Sequence, residues 1–263
     1  MPLTEHTSNF NLEVSRGQVR GKRQLHKFGS NDAVGTTAEA VWSAGGAYTG
    51  FLTGADNIRI RAGGNANDTA AGSGAREVTV SILDENFEEQ TVVLATAGAS
   101  ASASSALTAI RSTRAFVSAT GTYGGANEGD IIIETDAGTE LCRISAGEGQ
   151  TQMAIYTVPA DHKLYVSRLR AQVGGNNNEA FFDFCKREQA DVTSAPFASL
   201  RLLERIEAVD SGGNVEIEFD PPLEIPGKTD VFVEATAGSG SVGVTASFCG
   251  VIVKDQPPNM ELA

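Results

Sequence analysis

The chain has 263 residues, 41% of them hydrophobic and only 6% aromatic, with 29 glycines and a formal net charge of −13. That apolar fraction in a chain this long excludes wholesale disorder and allows one large or two modest cores. The acidic balance repels nucleic-acid phosphates, so no nucleic-acid partner is expected for the body.

The opening, MPLTEHTSNF, lacks a basic region followed by an apolar run, and no stretch approaches the ~18 apolar residues of a membrane span. A soluble product folded in a cytoplasm is expected, with no membrane partner. Residues 1–50 are polar and weakly periodic. Up to residue 27 they carry Arg16, Arg20, Lys22, Arg23 and Lys27 against Glu5 and Glu13, an excess of 5 − 2 = +3. A solvated terminus and an extended arm docked on an acidic neighbour both fit. Phe10, Leu12, Val14, Leu25 and Phe28 favour the arm, because apolar side chains contribute nothing in solvent.

Residues 51–149 read as strands and turns. Asn57-Ile58-Arg59-Ile60-Arg61 alternates polar and apolar and ends at Gly63-Gly64. Arg76 to Leu83 alternates again, with Asp84-Glu85-Asn86 as a hairpin turn and Phe87 to Leu94 as the return strand. Ala95 to Ala106 is almost all Ala, Ser, Thr and Gly, and fits a loop or a weak helix. Ile131 to Thr135, the turn Asp136-Ala137-Gly138, and Glu140 to Ile144 predict a second hairpin.

Residues 150–254 begin at a boundary near Gln150. Met153 to Val158, a Pro159-Ala160-Asp161 turn, and Lys163 to Val173 come first. Gly174-Gly175-Asn176-Asn177-Asn178 is a turn built from residues that tolerate positive φ. Glu179 to Lys186 predicts the next strand. Leu200 to Val209 is ambiguous, since its apolar positions 202, 203, 206 and 209 fit a helical period inside a run of strands. Val215 to Phe219 alternates with Glu216 and Glu218. Pro221-Pro222 and Pro226-Gly227 break the chain, and Asp230 to Ala235 and Val242 to Val253 close the set. Seven or eight short strands give the density of a sandwich or jelly roll. The fold class expected is therefore all-β: two β-sandwich or jelly-roll-like domains (51–149 and 150–254), preceded by an extended arm (1–50) and followed by a tail (255–263).

No constellation for chemistry stands out. Cys142, Cys185 and Cys249 have no metal-ligand spacing and are expected as small buried hydrophobes. His6, His26 and His162 lack a nucleophile motif beside them. Gly63 to Gly74 has no lysine in phosphate-loop position and leads into a strand. Asp84-Glu85-Asn86 with Glu88-Glu89, and Asn65-Asn67-Asp68, offer hard oxygens but match no calcium loop. Asp183, Glu204 and Asp230 as glycosidase carboxylates are unspecific among 33 acids. Trp42, Tyr48, Tyr123, Tyr156 and Tyr165 are too scattered for a sugar platform. The expectation is a non-enzyme without catalytic, metal or cofactor residues.

Lys27-Phe28-Gly29-Ser30-Asn31, then Glu39-Ala40-Val41-Trp42, then Gly45-Gly46-Ala47-Tyr48 resemble the opening of virion structural proteins of tailed phages that infect aquatic bacteria. Three more stretches fit the same family: Gly72-Ser73-Gly74-Ala75-Arg76, Asn127-Glu128-Gly129-Asp130-Ile131, and Ala154-Ile155-Tyr156-Thr157-Val158-Pro159-Ala160. In the last, Asp161 follows where the family usually has glycine. The matches span residues 27–160, with a looser fit to the end. The resemblance implies a capsid-decoration, neck or tail component of the virion, assembled in the host cytoplasm. Its partners would be copies of itself, in a trimer or ring, and major capsid, portal or tail proteins. The alternative is a receptor- or glycan-binding fibre module that meets a host surface glycan. On the structural reading, the arm leaves its own body to anchor on a neighbour, with Phe28, Trp42 and Tyr48 as aromatic anchors. Arg20, Lys22, Arg23 and Lys27 would meet acidic partner surface.

Overall fold

A computed structural model describes residues 10–175, 179–209 and 214–255. A short helix, α1 (Phe10–Ser15), precedes β1 (Lys22–Val34) and β2 (Glu39–Ala40). Then follow β3 (Asp56–Ile60), β4 (Ala75–Leu83), β5 (Glu89–Ala95), β6 (Thr108–Ala109), β7 (Arg111–Thr120), β8 (Ile131–Thr135) and β9 (Glu140–Ile144). The rest is β10 (Ile155–Thr157), β11 (His162–Val173), β12 (Glu179–Arg187), β13 (Arg201–Val209), β14 (Asn214–Ile225), β15 (Asp230–Ala237) and β16 (Val242–Lys254).

The C-terminal strands form a jelly roll, and its first strand comes from the other end of the chain. One sheet runs β1-β16-β11-β14 and the other β10-β15-β12-β13, with β2 also pairing β15. Numbered within this domain, the orders are 1-8-3-6 and 2-7-4-5, the doubled Greek key of a jelly roll. β1 pairs antiparallel with β16 from Lys22↔Val253 to Val34↔Val242. The domain is therefore discontinuous: residues 22–42 and 150–254 build it, and residues 51–149 are a second sandwich inserted between its first two strands. The expected free arm is corrected accordingly. From Lys22 onward it is an integral strand, because Leu25 and Val34 join the same apolar cluster as Phe182, Phe184, Phe248 and Ile252. Gly29 lies so close to the crossing chain that a Cβ there would sit 2.2 Å from the Val41 carbonyl and 2.4 Å from the Ala154 nitrogen. Residues 1–9 and 256–263, which hold His6 and most of the expected tail, lie outside the described residues.

The inserted sandwich stacks β6-β3-β8-β9 on β5-β4-β7. Ile58, Ile60, Val78, Val80, Ile82, Ile131, Ile133 and Leu141 point inward, as their alternation predicts. The predicted hairpins form as β4–β5 and β8–β9. The segment Ala95 to Ala106, which fits a loop or a weak helix by composition, is a loop after Ala95, the last residue of β5, apart from a bridge at Ala97. Its small hydroxyl residues stand in for a strand: Ser102 and Ser105 Oγ accept the Ile60 and Ile58 amides at 2.8 and 2.9 Å. The ambiguous segment 200–209 is the strand β13. A register shift opposite Phe184/Cys185 re-phases its alternation, which mimics a helical spacing. Pro221-Pro222 do not break β14. They sit in a strand at the edge of its sheet, where a missing N–H leaves no ladder bond unmade.

The two sandwiches share a core. Ala40, Trp42, Met153, Ile155, Cys185 and Phe232, all from the jelly-roll segments, belong to the same cluster as the insert's interior. This explains why β15 is apolar on both faces: Val231 and Val233 face the jelly-roll core, while Phe232 faces the insert.

Candidate functional site

The seam between the sandwiches has a dry side and an open side. On the dry side, β7 of the insert delivers Arg111 and β15 delivers Asp230, which are 2% and 0% exposed. Arg111 Nε donates to Asp230 Oδ1 at 2.9 Å and Nη2 to Oδ2 at 3.1 Å, a bidentate pair. Thr157 Oγ1 and Arg187 Nη2 each donate to the same carboxylate at 2.7 Å. Arg111 Nη1 donates to the Leu52 and Ile110 carbonyls at 2.7 and 2.8 Å. The guanidinium thus leaves little unmet, which is what a buried charge requires. Phe51 lies under both Arg111 and Arg187, 5.4 and 5.1 Å from its centroid. An aromatic chain, Trp42–Tyr48–Phe51–Phe232, runs beside the pair with centroid spacings of 5.0, 4.7 and 5.1 Å.

On the open side, a cleft of ≈ 770 Å³ runs along β1. Its walls are Arg23 to Phe28 and Tyr156 of the jelly roll, and Ser81, Glu89, Thr113, Arg114, Gln150 and Thr151 beside them. Lys27 is 8% exposed and donates to the Thr113 carbonyl across the seam. Burial chiefly, against an opposing contribution from Cys142 and with help from the Arg114 charge, pushes its amine down to about 7. Arg23 pairs with Glu89 and donates to the Tyr156 hydroxyl at 3.3 Å. Burial raises the Tyr156 phenol, so it stays protonated. Arg114 donates to the Gln150 amide oxygen at 2.6 Å and stacks over Phe116.

Of the seven residues expected at a docking interface, three come together here: Arg23, Lys27 and Phe28. Arg20 is exposed on the turn before β1, and Lys22 sits over the Phe10 ring at 4.9 Å. Trp42 and Tyr48 are not outward anchors. Trp42 is 3% exposed, its Nε1 donates to the Gly45 carbonyl, and the Tyr48 hydroxyl donates to the Leu141 carbonyl. They bind the molecule to itself. Sequence reasoning missed Arg111, Asp230 and Arg187 as a cluster, because 119 residues separate the first two and no local pattern joins them.

The remaining candidates are structural. Asp68 is a loop organiser, accepting the amides of Ala75, Glu128 and Gly129 at 2.7 to 3.1 Å. Asp183 pairs with Arg205 on the surface and stands opposite Glu234 in the ladder, its charge held by that guanidinium. Cys142 and Cys185 are buried, each thiol pushed up to about 12 chiefly by burial. Cys249, expected to be buried, is half-buried and lines the cleft. Among the described residues, no group of three or more acidic, His or Cys side chains could hold a metal ion. No helix among them is long and apolar enough to cross a membrane.

No family model and no curated protein matches the chain. Among solved structures, one of infectious bursal disease virus, Gt strain, overlaps 89% of this chain and 73% of its own at 10% identity, with a TM-score of 0.26. The Gx strain of the same virus overlaps 89% and 76% at 9% identity, with a TM-score of 0.23. Overlap this loose assigns no function.

Proposed function

We propose that the protein is a structural component of a virion, of the tailed-phage kind, that works by self-association and by docking on neighbouring virion proteins rather than by catalysis. The observation that carries this reading is the strand order. The 1-8-3-6 and 2-7-4-5 sheets make the jelly roll that recurs in viral shells, and a second sandwich clamped onto it by a shared core makes one stiff block. Stiff blocks with large surfaces suit assembly, whose output is contact area.

The resembling motifs support it in a specific way, since each does a structural task. Gly29 permits a close chain crossing, Trp42 and Gly45 close a turn, and Asp68 ties Gly74-Ala75 to Glu128-Gly129. Thr157 helps hold Asp230. The test is mass spectrometry of purified particles with copy number determined. A stoichiometry matching the shell indicates decoration, and one matching a single ring indicates neck or tail. Absence from particles overturns the proposal. A second reading, a glycan-binding module, draws on Tyr123, which is fully exposed on a tight turn. Binding by the intact protein on a glycan array would support it.

A further inference from the structure

We propose that the cleft is an acceptor site for an extended acidic segment of another polypeptide, which adds as a further strand to the free edge of β1. Three observations carry this. First, β1 ends its sheet, and among the described residues it pairs with β16 alone. Second, six consecutive residues, Arg23 to Phe28, line the cleft. A strand that presented one face to a space would offer alternate residues. Side chains from both faces of β1 border the opening, as they do where a strand's edge meets it, and Cys249 of β16 shows that it also reaches over the adjoining sheet face. Six residues extend about 20 Å at ~3.3 Å each, enough for a strand-length ladder.

Third, the lining is basic on balance. Arg23, Arg114 and Lys27, whose amine is held at about 7, face Glu89, the one carboxylate among the described lining residues, in a molecule of net charge −13. Glu89 is engaged by Arg23. The hydrogen-bond acceptors of Lys27 and Arg114 are neutral oxygens, of Thr113 and Gln150. Basic side chains on an edge ordinarily discourage pairing with any strand. Gathered around a walled cleft, they repel basic strands and favour one that brings carboxylates. Backbone addition supplies affinity and alternate side chains supply selection, as in other strand-addition sites.

This proposal is independent of the virion reading, since it is tested in solution with no particle present. The probe is a labelled hexapeptide alternating valine and glutamate, set against its valine–lysine counterpart, with binding followed by fluorescence anisotropy on the full chain. The glutamate peptide is expected to bind, to weaken steeply with salt, and to slow hydrogen exchange at amides within 23–28. Arg114→Glu, on an exposed side chain and checked for an unchanged thermal melt, is expected to weaken it on the order of tenfold. Equal binding of both peptides, an unaltered affinity in R114E, or binding without protection of 23–28 would overturn the proposal. So would full competition by inorganic phosphate, which would make the cleft a small-anion site. Binding seen only after removal of residues 256–263 would overturn it as well, by making the chain's own end the occupant.

Discussion

The dry and open sides of the seam solve the same problem, joining two sandwiches, by opposite means. Around Asp230 the polar groups are mutually bonded, Asp230 and Arg111 are buried, and Phe51 packs beneath two guanidinium groups. Along β1 the bonded side chains border an open cleft and a strand edge is left over. The contrast teaches that domain rigidity and surface availability can be segregated within one interface. The lock fixes the geometry, so the cleft keeps its width without having to be filled.

The largest effect that tests this contrast is expected from Asp230→Ala, which strands Arg111 in the interior. Loss of one partner of a buried pair costs about 3–5 kcal/mol, read as a lower midpoint in urea unfolding. Replacing both partners with apolar residues of similar volume, Arg111→Met with Asp230→Leu, should recover most of it. If D230A were as stable as the wild type, the dry side would not be a lock.

Gly29→Ala probes the crossing beside the cleft. A methyl group would meet two main-chain atoms well inside contact distance, and overpacking of that kind costs about 1–3 kcal/mol. A thermal melt would show it, together with altered exchange along β1. An unchanged melt would mean that Val41 and Ala154 yield readily.

Lys27 gives the open side a pH signature. Its amine falls from 10.5 in the ordinary state to about 7 when folded. Between those values the unfolded chain binds the proton and the folded chain does not. Stability from this group therefore rises as pH climbs from about 7 toward 10.5, and the burden of a buried charge returns below 7. Lys27→Met should flatten that slope in pH-dependent urea titrations. A slope unchanged in K27M would show that the amine remains solvated. The smallest effect is expected far from the seam, where Arg170 pairs with Glu216 on the outer face of the jelly roll. Arg170→Ala should shift stability by less than about 1 kcal/mol, as exposed pairs do. A larger loss would mean that surface charge, rather than the lock, dominates.

Local structure was legible in the sequence, and pairing over distance was not. Alternation located both hairpins of the insert and the strands β11 and β16, because each has one apolar face and turn residues at its ends, while β15 showed as a short apolar run, buried on both faces. β1 escaped because its inward face carries Lys27, Gly29 and Asn31 beside Leu25, so the period of two is chemically masked. The same residues that made it look like a solvated arm are the ones that build the cleft. β13 was misleading because its register shift displaces the alternation. The Arg111–Asp230 lock left no trace in either local sequence, since each residue only becomes meaningful beside the other.

The pairing of β1 with β16 has a consequence for how the molecule is made. On the ribosome β1 emerges before the whole inserted sandwich, yet its ladder partner, Val242–Lys254, emerges only after it. Until β16 has been made, the nascent first sheet must wait with one member missing while the intervening sandwich can already close on local hairpins. Such distant closure slows folding. Refolding should therefore be biphasic, with a fast step in the insert followed by slow docking of the amino-terminal strand.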